Sequence, residues 1–418
     1  MSPHAAPAPR WPVGGRPAPR RTCVTSSTRT PRTSTEFARS RVRAFSRSRV
    51  LAFRVGDAAL VGSAIPANDD TCCAPCAARR PKKTARKRNA QLQRANARTR
   101  ERENARTLES PPVAVLLTGV GYIGAALLRR LAAPVVALDN LYSTTREAVG
   151  RALPPGARLV EGDVADPAAV ARAFDLLGDA RGATVYHLAA QPSAAMATRE
   201  PEVTERSNLV GARVVLEAAR ERGAQVVFAG SFRAYGDELI GQTVGEDTPY
   251  GRVSDLSHLS KIYVEQLARM IGVRFVSVRL GVTYGLSPIM KTTPAFMTVP
   301  NLFCQRAAQG ELLQVLEDRP LAFIHVADAA EALLAAASRI EADWQVVNAA
   351  PEVATIGHVA RTVQRLAQER RAWVRIHGAA SSEAGFRVTS RLGGLEHRNT
   401  LADGLGEVLD FFLGQERR

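Results

Sequence analysis

A glycine-rich turn between two apolar runs constrains the fold of this chain more than any other feature. Residues 113–140 read VAVLLTGVGYIGAALLRRLAAPVVALDN, in which Gly119, Gly121 and Gly124 form a G-x-G-x-x-G pattern before a helical stretch. Glycine permits a tight turn, lets the backbone approach a pyrophosphate and allows the helix to pack closely on the strand. Asp139 ends the next apolar run, 20 residues after Gly119, where an acid can bind ribose hydroxyls. The pattern predicts a βαβ unit that binds a dinucleotide.

Asp139 also bears on which dinucleotide is bound. No arginine follows it directly, and a 2′-phosphate would meet the charge of its carboxylate. We therefore expect NAD rather than NADP, although Arg146 keeps NADP as an alternative. From the turn and the strand end, the residues expected to contact the cofactor are Gly119, Gly121, Tyr122, Ile123, Gly124, Asp139 and Asn140.

Apolar runs alternate with stretches of helical periodicity from Pro112 onward. Continuous apolar strands joined by helices are typical of a parallel sheet that is buried on both faces. Right-handed crossovers then give an α/β fold with a doubly wound parallel sheet of the Rossmann type. The predicted strands are VAVLLTG, PVVALD, ARLVEGD, ATVYHLAA, AQVVFAGS and VRFVSVRLG. Because the alternation loosens after Gly285, we predict a Rossmann domain over 111–285 and a smaller substrate-binding region, with interleaved Rossmann elements, over 286–418.

The first 110 residues differ from the rest in charge. They hold 24 Lys and Arg against 7 Asp and Glu, so the formal net charge of +16 comes from this tail. Its Arg-, Ser- and Pro-rich composition cannot bury enough apolar surface to fold, and we predict a disordered tail. The favoured interpretation is a start site assigned too far upstream. A transit peptide for organelle import, or nonspecific nucleic-acid binding by Arg79–Arg88, are the alternatives.

Cysteine usage and hydropathy indicate the cellular compartment in which the protein works. Cys304 is the single cysteine outside the tail, and the tail run TCCAPC offers three thiolates without a nearby fourth ligand, so we expect neither a disulfide framework nor a metal site. No run approaches the roughly 18 apolar residues of a membrane helix. We predict a cytoplasmic protein without a membrane or nucleic-acid partner.

Further motifs follow the glycine turn in a characteristic order. LDNLYS, EGDVAD, YHLAAQPS, FAGSFRAYGD and SKIYVEQL occur along the chain, and together they resemble the extended short-chain dehydrogenase/reductase family of nucleotide-sugar epimerases and dehydratases. The likeness covers roughly Val113 to Leu413. It implies that Asp163 and Val164 lie beside the adenine and that Ser231 provides a catalytic hydroxyl. It also implies that the fourth-strand motif lines the cofactor with Leu188, Ala189 and Ala190.

The resemblance implies an activity as well. Members of the family oxidise a sugar hydroxyl by hydride transfer to NAD, then epimerise, eliminate or decarboxylate, and return the hydride. Their catalytic pattern is a serine or threonine followed by Tyr-x-x-x-Lys, with the lysine also holding the nicotinamide ribose. Lys261 occupies the lysine position. The family also implies a homodimer and a nucleotide-sugar substrate.

The tyrosine of that pattern is missing, because Ser257 stands four residues before Lys261. A serine hydroxyl is a far weaker acid than a phenol, so Ser257 is a poor replacement base. His258 shares a helix face with Lys261, and its imidazole can act as a base. The alternative is that His258 is an ordinary surface or hydrogen-bonded residue without a catalytic role. Tyr250 on the preceding loop and Tyr263 on the helix are further candidates.

Several residues carry a second, simpler interpretation. Ser231 can cap a strand end instead of contacting the substrate. Arg233, Arg279 and Arg306 can bind a substrate anion or can be solvated. Two function hypotheses remain open: an NAD-dependent epimerase/dehydratase-type enzyme with an altered proton relay, and a catalytically degenerate NAD(P)-binding sensor or scaffold.

Overall fold

The computed structural model of the protein describes residues 113–132, 134–378, 385–393 and 398–416. The predictions for the tail, including its disorder and its cysteine run, lie outside the described residues. Within the described ranges, no helix has the length and apolar character needed to cross a membrane. No group of acidic, histidine and cysteine side chains in those ranges is arranged to hold a metal ion.

Short strands and helices alternate along the chain. The strands are β1 (Val115–Thr118), β2 (Val135–Asp139), β3 (Arg158–Glu161), β4 (Thr184–His187), β5 (Gln225–Ser231), β6 (Thr243–Val244), β7 (Phe275–Leu280), β8 (Val282–Tyr284), β9 (Leu313–Gln314), β10 (Pro320–His325), β11 (Trp344–Ala349), β12 (Glu352–Thr355), β13 (Ile376–His377) and β14 (Arg387–Val388). The helices are α1 (Tyr122–Leu128), α2 (Arg146–Ala152), α3 (Pro167–Asp175), α4 (Ala194–Arg199), α5 (Pro201–Thr204), α6 (Gly211–Glu221), α7 (Leu256–Ile271), α8 (Val299–Ala308), α9 (Val326–Ser338), α10 (Ile356–Glu369) and α11 (Leu401–Glu416). A π-helix spans Glu205–Val210, and 3₁₀ turns span Phe232–Tyr235 and Pro294–Phe296.

Seven parallel strands of the described region form the main sheet, in the order β11-β7-β5-β4-β1-β2-β3. The first described strand, β1, lies inside the sheet; the chain then passes through β2 to β3 at one edge and returns to β4 on the other side of β1. This reversal leaves a crevice between the carboxyl ends of β1 and β4, where open α/β sheets bind their ligands.

Apolar clusters cover both faces of the sheet. On one face, Leu117 and Val227 pack with residues of α1 and α9. On the other face, the adjacent residues Leu116 and Val226 pack with residues of α3, α6 and α7. Because successive side chains of a strand point to opposite faces, burial of both faces requires the continuous apolar runs seen in the sequence.

A smaller region packs around a separate apolar cluster. Helices α8, α10 and α11 contribute Phe303, Val363 and Leu405 to this cluster. A three-stranded sheet in the order β12-β10-β8 lies in the same region, with β8 parallel and β12 antiparallel to β10. The Cys304 thiol is buried there, and burial raises its pKa.

The doubly wound parallel sheet predicted from the sequence is confirmed. Strand β11, which follows Gly285 in the sequence, pairs with β7 at the edge of the main sheet. Val347 and Ala349 of this strand complete the apolar cluster on the α9 face, which explains why the strand joins the main sheet. The domain division at Gly285 stays a prediction.

Candidate active site

A cavity of about 470 Å³ lies at the carboxyl ends of the main-sheet strands. Residues at or just beyond the ends of successive strands line it: Gly119 after β1, Asp139 on β2, Leu188 after β4, Ser231 on β5 and Leu280 on β7. The cavity therefore occupies the crevice that the strand order creates.

Each glycine of the turn after β1 has a different structural role. Gly119 has a φ of +86°, and a Cβ added there would lie 2.5 Å from the backbone nitrogen of Ala189. A Cβ at Gly124 would overlap the carbonyl oxygen of Gly119, so this glycine lets α1 pack against the turn. Gly121 borders the cavity, and a Cβ there would meet no protein atom within 4 Å. The turn thus leaves open space beside its backbone at Gly121, which fits a pyrophosphate.

The Asp139 carboxylate holds the end of β2 against this turn. Its Oδ2 accepts a hydrogen bond from the backbone nitrogen of Val120 at 2.6 Å, and its Oδ1 accepts one from Leu141 at 2.7 Å. Burial raises the pKa of the carboxyl group, while the two hydrogen bonds oppose that shift. Asp139 and the glycine turn therefore lie together at one end of the cavity, as a ribose-binding acid requires.

The residues predicted to contact the cofactor all line this one cavity. Besides the glycines and Asp139, they are Tyr122, Ile123, Asn140, Asp163, Val164, Leu188, Ala189, Ala190 and Lys261. Asp163 accepts hydrogen bonds from Ala165 N at 2.8 Å and from Arg206 Nε at 2.9 Å, which fixes the EGDVAD segment at the cavity wall. The residues present fit an adenine dinucleotide, because the glycine turn, the acid and the apolar strand ends border one continuous space.

Lys261 of α7 lines the cavity beside β5. Its Nζ donates to the carbonyl oxygen of Ala229 at 2.8 Å and lies 4.7 Å from the centre of the Phe228 ring. Burial lowers the pKa of the amine to about 8, although the charge of Glu265 acts in the opposite direction. The amine is therefore held in place and is easier to deprotonate than an exposed lysine.

Ser231 lines the cavity at the end of β5, the strand whose Ala229 Lys261 contacts. Its Oγ accepts a 3.3 Å hydrogen bond from the backbone nitrogen of Arg233, which caps the 3₁₀ turn that follows. The capping role foreseen in the sequence and a position in the cavity are thus both present. A hydroxyl that accepts this bond keeps its own proton available to a ligand oxygen.

Ser257 lines the cavity where the family places its tyrosine, but its hydroxyl already has a partner. The side chain is 5% exposed, and its Oγ donates to the carbonyl oxygen of Pro192 at 3.1 Å. The tyrosines that line the cavity are also engaged, since Tyr122 donates to the carbonyl oxygen of Gly285 at 2.5 Å and Tyr142 to Glu200 at 3.0 Å. None of these hydroxyls is a free base.

His258 lines the cavity on the first turn of α7, with 2% of its surface exposed. Its Nδ1 lies 3.3 Å from the backbone nitrogen of Ser254, which can only donate a hydrogen bond. The Ser254 hydroxyl lies at the same distance from Nδ1, so this nitrogen contacts both a backbone donor and a hydroxyl. Burial and the neighbouring Arg233 lower the pKa of His258, while Asp255 and Asp237 act in the opposite direction, and the neutral imidazole is favoured.

Other candidates from the sequence lie outside the cavity lining. Tyr250 donates to Glu265 at 2.9 Å, and Tyr263 accepts a bond from Arg213 at 3.1 Å. Arg279 forms a buried ion pair with Glu265, with an Nη2–Oε2 distance of 2.6 Å. The remaining candidates with structural partners are Arg146 with Glu161 and Arg306 with Glu311.

Sequence reasoning missed Lys291 as a cavity residue. It lies in an irregular segment after β8, and burial lowers its pKa to about 8. Phe296 and Thr298 of the same segment also line the cavity. The sequence pattern after Gly285 indicated a substrate-binding region, but it did not indicate which side chains of that region line the cavity.

Comparisons with known proteins agree with this arrangement. The NAD dependent epimerase/dehydratase family matches residues 115–350, which is more than half of the chain. A dTDP-glucose 4,6-dehydratase of Mycolicibacterium smegmatis is 31% identical over 180 residues, covering 40% of this chain and 52% of that protein. A UDP-glucose 4-epimerase of Corynebacterium glutamicum is 32% identical over 135 residues, covering 31% and 38%. The chain thus spans about half the length, or less, of these curated relatives.

Solved structures match over a longer range. The UDP-glucose 4-epimerase of Thermus thermophilus, solved in complex with NAD, superposes with a TM-score of 0.60 at 25% identity. The match covers 72% of this chain and 99% of that protein. With the family match, the glycine turn and the cavity at the strand ends, these findings show that the chain belongs to the NAD-dependent epimerase/dehydratase family.

Proposed function

We propose that the protein transiently oxidises a hydroxyl of a nucleotide-activated sugar, with NAD as its cofactor, and then epimerises or dehydrates that sugar. The observation that carries the proposal is that Ser231 and Lys261 border the same cavity as Gly121 and Asp139. A reacting hydroxyl between these groups has a cofactor site on one side and polar groups on the other. The relatives named as nucleotide-sugar epimerases and dehydratases support this choice of substrate class.

The choice of NAD over NADP rests on Asp139. When bound, NAD supplies the acceptor for the hydride that leaves the sugar carbon. Asp139 would accept hydrogen bonds from the adenosine ribose, and its negative charge would repel a 2′-phosphate. Arg146 is the cation that the sequence left as an argument for NADP, and its ion pair with Glu161 engages it. These contacts favour NAD.

The proton of the reacting hydroxyl needs an acceptor, and Lys261 is the best placed. With a pKa of about 8, roughly one amine in ten is neutral at pH 7. We assign Lys261 Nζ the role of accepting the proton as hydride leaves the same carbon and of returning it afterwards. Its hydrogen bond to Ala229 orients the nitrogen, and a neutral amine can make that bond while its lone pair accepts a proton.

Ser231, Ser257 and His258 would then bind and orient. The Ser231 hydroxyl donates to the reacting oxygen and holds it near Lys261. Ser257 donates to Pro192 and secures the wall that carries Lys261. His258 would help to shape the cavity wall, with Nδ1 held beside the Ser254 backbone nitrogen and hydroxyl.

A second candidate function is supported by the tyrosines of the described cavity wall, because the hydroxyls of Tyr122 and Tyr142 both donate to protein acceptors. In that case the protein binds NAD or NADP without turnover and acts as a sensor or scaffold. The two candidates differ in a single observable, which is conversion of a nucleotide sugar by protein that demonstrably holds NAD.

The test uses the full-length protein, NAD, and UDP-glucose or dTDP-glucose, with products separated by chromatography. Wild type should convert at least one of these sugars. Lys261→Met and Ser231→Ala should each lower the rate by roughly 100-fold or more while NAD affinity changes far less in Ser231→Ala. Ser338→Ala is the matched control, because this hydroxyl lies on the exposed end of α9 and donates to Ala335. Binding of NAD with no conversion by wild type would favour the second candidate.

The resemblance also predicts a homodimer, which stays a prediction. Light scattering on the full-length protein tests it, since a dimer has twice the 44.9 kDa mass of one chain.

A further inference from the structure

Lysine and arginine side chains of the described region line the cavity at four positions: Arg206, Arg233, Lys261 and Lys291. The protein itself engages the first three, through Asp163, Asp255 and the carbonyl oxygen of Ala229 respectively. Lys291 differs from them, because it forms no hydrogen bond or ion pair with any other described residue. A cation that lines a cavity without a protein partner is available to an anionic ligand.

The Lys291 ammonium is within reach of a ligand in the cavity. Its Nζ is not among the unpartnered polar atoms of the described residues that lack accessible surface, so this nitrogen retains some. The side chain as a whole is partly buried, and burial lowers the pKa of the amine to about 8 without an opposing acid. A partly desolvated ammonium gains more from a counter-ion than an exposed one does.

The segment that carries Lys291 is attached beside the glycine turn. The Ser287 hydroxyl donates to the carbonyl oxygen of Tyr122 at 2.6 Å, and Tyr122 directly follows Gly121 in the turn. Met290, the residue before Lys291, packs against the apolar cluster that contains Tyr122. The backbone leading to Lys291 is therefore held against the start of α1.

The same segment also contacts the loop that follows β2. The Phe296 ring meets the Tyr142 ring edge-on, with 6.3 Å between the ring centres. Tyr142 lies three residues after Asp139, the acid assigned to the adenosine ribose. Residues 287–296 thus connect the glycine turn with the end of β2, and Lys291 lies between the two contacts.

These two contacts indicate which anion Lys291 meets. The space beside Gly121 is assigned to the pyrophosphate of the dinucleotide, and Asp139 is assigned to its adenosine ribose. The glycine turn offers the phosphates backbone N–H groups, but residues 119–124 include no lysine or arginine. Phosphate oxygens accept strong, charge-assisted hydrogen bonds from an ammonium. Lys291 would supply the formal positive charge that the turn lacks.

We infer that Nζ of Lys291 binds the diphosphate of NAD, so that a residue of the predicted substrate-binding region takes part in holding the cofactor. The inference rests on the proposed function for the identity of that cofactor. It adds a binding residue from outside the βαβ unit, in a segment where no sequence pattern indicated one.

Titration of NAD into the full-length protein, without a sugar, tests the inference. Lys291→Met should raise the dissociation constant of NAD at least about tenfold, which is the scale of one hydrogen bond to a charged group. Lys291→Arg keeps the charge and should stay within about threefold of wild type. Arg181→Met is the control, because this side chain is 83% exposed and pairs with Asp179; it should bind NAD as wild type does. Urea unfolding shows whether each variant is folded.

A pair of smaller ligands locates the effect on the phosphates. ADP and adenosine share the base and the ribose, and only ADP carries a diphosphate. Lys291→Met should lower the affinity for ADP at least about tenfold and leave the affinity for adenosine within about twofold. An equal loss for both ligands would indicate that Lys291 only supports the shape of the cavity, and it would overturn the inference.

Titration of UDP at saturating NAD covers the other possible source of a diphosphate, the nucleotide sugar. If Lys291→Met weakened the binding of UDP but not that of NAD, Lys291 would belong to the substrate site and the inference would be wrong. Unchanged affinity for both ligands would also overturn it, and the proposed function would stand. Failure of wild type to bind NAD would overturn the proposed function and the inference with it.

Discussion

Alanine substitutions at two glycines of the same turn should have opposite consequences. At Gly124 the new Cβ would overlap the carbonyl oxygen of Gly119, far inside the 3.4–4 Å of ordinary contact, so α1 or the turn must shift. Strain of this kind typically costs about 1–3 kcal/mol of stability. At Gly121 the new Cβ would meet no protein atom within 4 Å, and the φ of −82° lies outside the left-handed region that favours glycine. Its effect on stability should stay within about 1 kcal/mol.

For NAD affinity, in contrast to stability, we expect the larger effect from the substitution at Gly121. The Gly121 methyl would project into the space assigned to the pyrophosphate, so we expect NAD affinity to fall at least about tenfold in Gly121→Ala. Urea unfolding measures the stability of both variants, and fluorescence titration measures their NAD affinity. Gly150→Ala provides a control within α2, because a Cβ there also meets no atom within 4 Å. If Gly121→Ala bound NAD as wild type does, the pyrophosphate could not lie beside this glycine, and the assignment of the turn would be refuted.

Three further predictions concern other parts of the site. Because neutral Lys261 is the proposed proton acceptor and its pKa is lowered to about 8, turnover should rise with pH from 6.5 and level off above about 8; a pH–rate profile that falls over this range would contradict the role. Glu265→Gln should lower the free energy of unfolding in urea by about 3–5 kcal/mol, because the buried charge of Arg279 loses its partner. Glu369→Gln removes the acid of an exposed ion pair with Arg365 and should lower it by less than about 1 kcal/mol. Asp139→Ser should lower the preference for NAD over NADP at least about tenfold in paired titrations, and an unchanged preference would remove Asp139 from the ribose site.

Much of the fold could be predicted from local sequence. The strands β1, β2, β4, β5 and β7 are largely apolar runs because both faces of the sheet are buried, and that pattern is visible without any tertiary information. The glycine turn was equally visible, because only glycine tolerates the φ of Gly119 and the close approach at Gly124. The sequence also predicted that His258 and Lys261 share a helix, and both lie on α7, whose start Asp255 caps.

Other features of the fold and the site depend on tertiary contacts that the sequence does not reveal. The short apolar pattern of β11 does not indicate which sheet the strand joins, and only its pairing with β7 assigns it to the main sheet. Lys291 lies in an irregular segment, where no periodicity predicts the direction of a side chain. The contacts of His258 with Ser254 and of Arg233 with Asp255 also depend on how the chain folds before α7. These contacts arise from the loop before α7 and have no signature in residue spacing.

The most direct test of the account is a single-turnover experiment on full-length protein loaded with one equivalent of NAD. A nucleotide sugar is added and the reduced nicotinamide is followed by its absorbance. The account predicts that reduced cofactor forms transiently with at least one nucleotide sugar, and that Lys261→Met abolishes the signal while still folding. A protein that holds NAD yet never reduces it with UDP-glucose, UDP-glucuronate or dTDP-glucose would contradict the claim that this cavity carries out sugar oxidation.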